Sequence, residues 1–296
     1  MSLKDHFNHR VVRDLAWVIQ SPPITSGLKA NVLWLDQGFC NQEYQDCLED
    51  LKSLDKDPSP LLKHLDKLKS KRLGYRFEAF VNYWLHISPN YDLVDHNIQI
   101  IKDKRTRGEI DFIILDKQSL RTIHLEVAVK FYLGVEPYED SFRWFGTNIQ
   151  DQLGKKLAHL QEHQSQLTIK YPNYLEHNID EHHCLIKGRL YSPFGSDITP
   201  QGVYSDHLRG HWIKQGNLHK ESSLNDATLY PIEKSEWLSQ LTFNDLNNRE
   251  KFNELEQIKK AQSCIATRNN DQGKPEEVSR IFVLPDDFHF PEAKKN

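Results

Sequence analysis

The stretch Gly108–Leu133, GEIDFIILDKQSLRTIHLEVAVKFYL, decides how the rest of the chain is read. Two apolar runs, Glu109–Asp116 and Arg121–Leu133, flank the polar turn Lys117–Leu120, so the stretch reads as a β-hairpin. Side chains alternate along a strand with a period of two. The first strand is therefore expected to place Glu109, Asp111 and Ile113 on one face and Ile110, Phe112 and Ile114 on the other. In the second, Leu125, Val127, Val129 and Phe131 are expected to face the core, with His124, Glu126, Ala128 and Lys130 on the opposite side. If the strands pair, Asp111 and Glu126 converge.

Two carboxylates held close together repel and do not both stay ionised cheaply. A divalent cation resolves the conflict, and hard oxygen donors favour Mg²⁺ or Mn²⁺, which keep water ligands and accept phosphate oxygens. Such an ion lowers the pKa of a bound water and stabilises charge on a phosphate under attack. A nearby lysine can orient that water or neutralise the developing charge. The hairpin thus gives metal-dependent phosphodiester hydrolysis a physical basis.

Working outward, Arg72–Ile87 carries Phe77, Phe80, Val81, Trp84 and Leu85 at helical spacing with Glu78 beside them, and Ser88-Pro89-Asn90 ends the helix. Tyr91–Ile101 reads as a strand and Lys102–Arg107 as a polar turn leading into the hairpin. Beyond the hairpin, Asn148–Leu167 reads as a helix with Leu153, Leu157 and Leu160 on one face, and Cys184–Tyr191 as a further strand. Upstream, Val11, Val12, Leu15, Val18 and Ile19 mark a helix stopped by Pro22-Pro23, with two more helices at Tyr44–Leu54 and Pro58–Lys71. After Pro193, Gly195–Gly216 is turn-rich; a short helix Trp237–Leu246, a charged amphipathic helix Asp245–Cys264 and a short strand Arg280–Leu284 are expected.

An acid on a core helix (Glu78), a G-E-x-D strand (Gly108-Glu109-Ile110-Asp111) and an acid on the next strand (Glu126) resemble the signature of the PD-(D/E)xK nuclease superfamily. The element order over Arg72–Tyr191 is similar to that superfamily's αβββαβ core. More narrowly, HLEVAVKFYL at His124–Leu133, VVRDLAWVIQSPP near the start and RIFVLPDDF near the end look like a bacterial family of unknown function placed in the superfamily by sequence. The resemblance implies an α/β fold: a restriction-endonuclease-like core at 71–192, a helical N-terminal region at 1–70 and a mixed C-terminal extension at 193–296 packed on the core. It implies a nuclease in which Asp111 and Glu126 hold Mg²⁺ or Mn²⁺, Glu78 is an accessory ligand or orienter, and Lys130 is the catalytic lysine. The superfamily usually has its lysine two residues after the acid, where this chain has Ala128. Lys130 stands four residues on, about 13 Å along an ideal strand at roughly 3.3 Å per residue; Lys155 or Lys156 on the following helix is the alternative. The departure keeps a second reading open: a nuclease fold without catalysis that binds nucleic acid or a protein partner.

Composition narrows the setting. Of 296 residues, 38% are hydrophobic and 27% charged, an ordinary globular balance. A net charge of −4 means that any nucleic-acid surface must be a local patch. Lys63, Lys67, Lys69, Lys71, Arg72 and Arg76 stand against Asp66 alone in Leu61–Arg76. Lys69, Lys71 and Arg72, with Lys155 and Lys156, are the expected rim for nucleic acid, DNA favoured. Trp144, Phe145 and Tyr132 are weighed as base-stacking groups and read first as core. His124 reads as a hydrogen-bonding residue rather than a ligand, and neither His159/His163 nor His182-His183-Cys184 has a further ligand in view. Cys40, Cys47, Cys184 and Cys264 form no CxxC pair and read as reduced thiols. With no signal-like segment and no membrane-length apolar run, a cytoplasmic location is expected.

Overall fold

The computed structural model describes residues 7–253 and 256–292. The protein is a mixed α/β structure whose contacts divide it into two compact units. One comprises Phe7–Lys130 and Lys155–Gly188; the other comprises Phe131–Gly154 and the chain from Arg189 onward. The N-terminal helices pack on the helix that carries Glu78 and lie in the same unit with it.

The first unit begins with α1 (Arg10–Gln20), the short strands β1 (Gly27–Lys29) and β2 (Val32–Trp34), and helices α2 (Gln37–Asp46), α3 (Leu48–Lys56) and α4 (Ser59–Leu65). The single helix expected over Tyr44–Leu54 is two, broken where Cys47 leaves helical geometry at ψ 1°. The fully buried amine of Lys187 donates to the carbonyls of Ile19, at 3.1 Å, and Ser21, satisfying acceptors that the end of α1 leaves open before the two prolines. Next comes α5 (Leu73–Ile87), which buries Phe77, Phe80, Val81, Trp84 and Leu85 as its spacing predicts. Its exit is pinned by Glu43, 2% exposed, which accepts from Trp84 Nε1 at 2.9 Å, Ser88 Oγ at 2.9 Å and Asn90 Nδ2 at 2.7 Å.

Strands β3 (Tyr91–Lys102), β4 (Arg105–Asp116) and β5 (Thr122–Gly134) follow as an antiparallel meander. The turn expected over Lys102–Arg107 contracts to Asp103 and Lys104, both at positive φ, the geometry of a two-residue hairpin loop. The rest of the chain adds β6 (Trp144–Phe145), α6 (Leu153–Glu162), α7 (Leu167–Lys170), β7 (Glu181–Pro193), β8 (Arg209–Lys214), β9 (Thr228–Pro231), α8 (Phe243–Leu246), β10 (Gln262–Asn269) and β11 (Pro275–Leu284). In the first unit the strand order is β3-β4-β5-β7-β2-β1, with β2 parallel to β7. The helix expected over Asn148–Leu167 stops at Glu162, where His163 breaks helical geometry at φ −122°. The chain then turns Leu167 down onto Gly108: a Cβ there would lie 2.6 Å from Leu167 Cδ1, so the glycine of the G-E-x-D stretch is the seat of this contact.

The second unit pairs β7, β8 and β11 in parallel and adds β10 and β9 antiparallel. Ile213, Leu229, Cys264, Ala266, Ile281 and Val283 form its core. The charged helix expected over Asp245–Cys264 is absent from the described part of that segment, and of the one expected over Trp237–Leu246 only Phe243–Leu246 forms. Thr242 and Asp245 cap that single turn, the chain leaves it at Asn247 and Asn248, and burial of Cys264 between β9 and β11 draws the following residues into a strand. The ion pair of Arg280 and Glu277, at 2.8 Å, is buried in the same unit. All four cysteines are buried and free. Among the described residues no helix is long and apolar enough to cross a membrane.

At Gly188, φ is +145° and a Cβ would fall 1.7 Å from the carbonyl oxygen of Lys130, a backbone atom that cannot move alone. Gly188→Ala is expected to destabilise the protein by about 2–4 kcal/mol, read as a lowered denaturation midpoint in urea.

Candidate active site around Asp111 and Glu126

The candidate site lies within the first unit, where the β4–β5 ladder ends. Regular pairing runs from Leu115↔Thr122 to Phe112↔Leu125. At the next position side chains enter the gap: Asp111 Oδ2 accepts the Val127 N–H at 2.9 Å, and Glu126 Oε1 faces the Asp111 N–H at 3.4 Å. On the other side of β4, Asn97 at φ 54° falls between the pairs His96↔Phe112 and Ile98↔Ile110. Ile110 and Ile113 pack in one cluster although they stand three positions apart, an offset that strict alternation would put on opposite faces. The strict alternation expected for this strand is therefore broken at Asp111.

The other strand departs from expectation by being covered on both faces. Leu125 and Val127 are buried, and so are His124 and Glu126. Glu126 is 0% exposed, whereas Asp111 keeps partial exposure. Burial raises the Glu126 carboxyl to about 8, against hydrogen bonds from Asp111 and the charge of Lys156, which lower it. Burial, followed by the charge of Glu126, holds Asp111 well above the ordinary carboxyl range. Glu78, half-buried on α5, is raised to about 7 by burial and by the charges of Asp111 and Glu109. Three expected site residues thus act on one another electrostatically, and Asp111 and Glu126 are in hydrogen-bonding contact.

A polar chain holds Glu126 from behind. His124 Nε2 lies 2.7 Å from Glu126 Oε1, His124 Nδ1 lies 3.3 Å from Thr168 Oγ1, and Thr168 Oγ1 lies 2.8 Å from His182 Nε2. Burial lowers both histidines to about 4, so the rings are neutral at neutral pH. The tautomers that satisfy every contact run the donors one way, from His182 to Thr168 to His124 to Glu126. The second oxygen, Glu126 Oε2, accepts from Gln164 Nε2 at 2.8 Å, and Gln164 Oε1 accepts from Lys156 Nζ at 2.8 Å. Lys156 is the cation acting on all three acids. Lys130 is half-buried four residues along β5 and is not among the leading charges on them. Neither Gln164 nor Thr168 was anticipated; both follow the break after α6, which no periodicity marks.

Of the other residues considered, Lys69, Lys71, Arg72 and Lys155 are exposed. Tyr132, Trp144 and Phe145 are at most 1% exposed and unable to stack on a base. His159 and His163 stack on each other at 4.8 Å. Among the described residues no three His, Cys, Asp or Glu side chains gather in a cage for an ion. Two touching carboxylates with elevated proton affinity suit an ion that brings its own water, as Mg²⁺ does with one or two protein carboxylates.

The raised acids make stability depend on pH in a definite direction. Unfolded glutamate titrates near 4.5 and folded Glu126 near 8. Across that window the folded chain binds more protons, so its stability falls as pH rises. In metal-free buffer Asp111→Asn, which keeps an acceptor for Val127 and offers Glu126 a donor, is expected to raise Tm at pH 8 by at least about 2 °C. The gain should shrink toward pH 5; thermal unfolding across pH checks it, and a lower Tm at pH 8 would contradict it.

No curated protein and no solved structure matches the chain. One family model does, over residues 13–284, which takes in both carboxylates, their polar supports and nearly all of the second unit. The chain belongs to the family described as Domain of unknown function (DUF1853).

Proposed function

We propose that the protein is a metal-dependent nuclease with a restriction-endonuclease-like core, hydrolysing phosphodiester bonds of DNA with Mg²⁺ or Mn²⁺ at Asp111 and Glu126. The observation that carries this reading is the touching pair of carboxylates, both shifted toward the protonated form in a buried setting. Burial and mutual repulsion oppose two negative charges there, and a divalent cation replaces the proton that otherwise relieves them. The order helix, three strands, helix, strand through α5, β3, β4, β5, α6 and β7 supports the fold assignment; the two-residue β6 and the single-turn α7 are insertions in it.

Each residue has a part that its contacts suit. Asp111, fixed by the Val127 N–H, presents the more accessible carboxylate. Glu126 is held by His124 on one oxygen and Gln164 on the other, so it cannot rotate away when its proton leaves. When bound, the ion supplies an activated water and stabilises charge on the phosphate. Glu78, with a proton affinity near neutrality, can take up or release a proton beside Asp111. Lys156, anchored by Gln164, supplies the positive charge first assigned to Lys130. The exposed Lys69, Lys71, Arg72 and Lys155 are suited to the phosphate backbone.

The test is cleavage of labelled single-stranded and duplex DNA with and without Mg²⁺ or Mn²⁺, alongside calorimetric titration of the metal. Asp111→Asn and Glu126→Gln should each reduce metal-dependent cleavage by about two orders of magnitude or more. Lys156→Ala should reduce it by at least about tenfold, and Lys130→Ala should matter far less. Metal binding that Asp111→Asn leaves unchanged removes the site; DNA binding without cleavage leaves the non-catalytic module as the reading.

A further inference from the structure

Beside the acids, between α5 and strands β3 and β4, a cleft of about 240 Å³ opens to solvent. Glu78 lines it, as does Phe112, the neighbour of Asp111 in sequence, so it adjoins the candidate site. Its remaining chemistry is not that of a packing defect. The rings of His96 and Phe112 stack with centroids 6.4 Å apart and planes 13° from parallel. Tyr75, also lining the cleft, is 50% exposed. Two primary amides, Asn82 from α5 and Asn97 from β3, line the same space. Asn97, in the left-handed region at φ 54°, lies on β3 between the pairs that flank Asp111 on β4, and its amide is exposed beside the cleft. Lys67 brings a positive charge to the same lining.

Two exposed rings, Tyr75 and His96, amides able to read a donor–acceptor edge, and one cation together match a nucleotide with its base out of a helix. A base inside a duplex offers its faces only to its stacked neighbours and cannot enter such a cleft without being extruded. We propose that this cleft binds one unpaired nucleobase, with its phosphate directed toward Asp111 and Glu126, and that the substrate is therefore single-stranded DNA or a frayed end. The proposal rests on the nuclease reading and specifies its substrate: Tyr75 supplies a stacking face, Asn82 and Asn97 engage the base edge, and Lys67 meets the backbone.

The experiment measures fluorescence anisotropy of a labelled single-stranded oligonucleotide of about twelve nucleotides, and of its duplex, against the full chain without divalent metal. The single strand should bind about tenfold more tightly than the duplex. Tyr75→Ala and Asn82→Ser should each weaken single-strand binding by about fivefold to tenfold, Tyr75→Phe should retain it, and duplex binding should move little. Tyr75 is exposed, and circular dichroism melts verify that each variant is folded; Asn97→Ala provides a second probe of the amide pair should Asn82→Ser lower stability. Unchanged single-strand affinity in the folded variants, or equal affinity for both forms, overturns the cleft assignment while leaving the nuclease reading standing. No binding to either form together with no metal-dependent cleavage overturns both.

Discussion

Two carboxyl groups held together in poorly solvated surroundings are the constraint on which the site depends. Glu126 has no access to solvent and Asp111 only partial access; burial raises the proton affinity of both, and the charge of Glu126 raises that of Asp111 further. A fold tolerates such a pair only if the surrounding groups are arranged for it. Here the backbone makes the adjustment: the β4–β5 ladder stops where the acids begin, and the carboxylates take up N–H groups that a continued ladder would have used. The interruption of a regular element and the concentration of charge are thus one event at one place in the sheet. Unspent electrostatic repulsion of this kind is common where a protein acts on a ligand and uncommon where it serves stability alone.

The supports of the pair differ in character. Behind Glu126 stand neutral groups, two imidazoles and a hydroxyl, which orient the carboxylate and add no charge at neutral pH. The positive charge arrives from another element, through Lys156 and the amide of Gln164. Orientation and compensation are therefore assigned to different residues, and only the second answers to a lysine motif. A lysine two positions after the acid on β5 would have to fit where Ala128 is buried, 8% exposed, on a strand covered on both faces. Delivery of the charge from α6 avoids that burial.

The hairpin, the helix carrying Glu78 and the convergence of Asp111 with Glu126 were legible in the sequence because each rests on local periodicity and short spacing. What could not be read depends on tertiary pairing. The twofold alternation around Asp111 failed because Asn97 and the end of the ladder disturb it, and neither residue type signals that by itself. Two-sided burial of β5 was hidden because His124, Glu126 and Lys130 lend the strand a half-polar appearance. The helix projected over Asp245–Cys264 failed for a related reason: charged residues with loose helical spacing yielded to strand pairing by β10, whose buried residues lie between two neighbours far away in sequence. Gln164, the residue joining Lys156 to the acid, sits in a turn without a pattern and gave no sign of its role.

The unequal exposure of the two carboxylates gives the site a direction. Anything arriving from solvent meets Asp111 first, and Glu126, closed in by its histidine and its amide, is encountered only afterward. On the proposed metal-binding reading, the outer acid governs capture and the inner one governs retention. The two positions, chemically alike, therefore make separable contributions to the rates at which the site fills and empties.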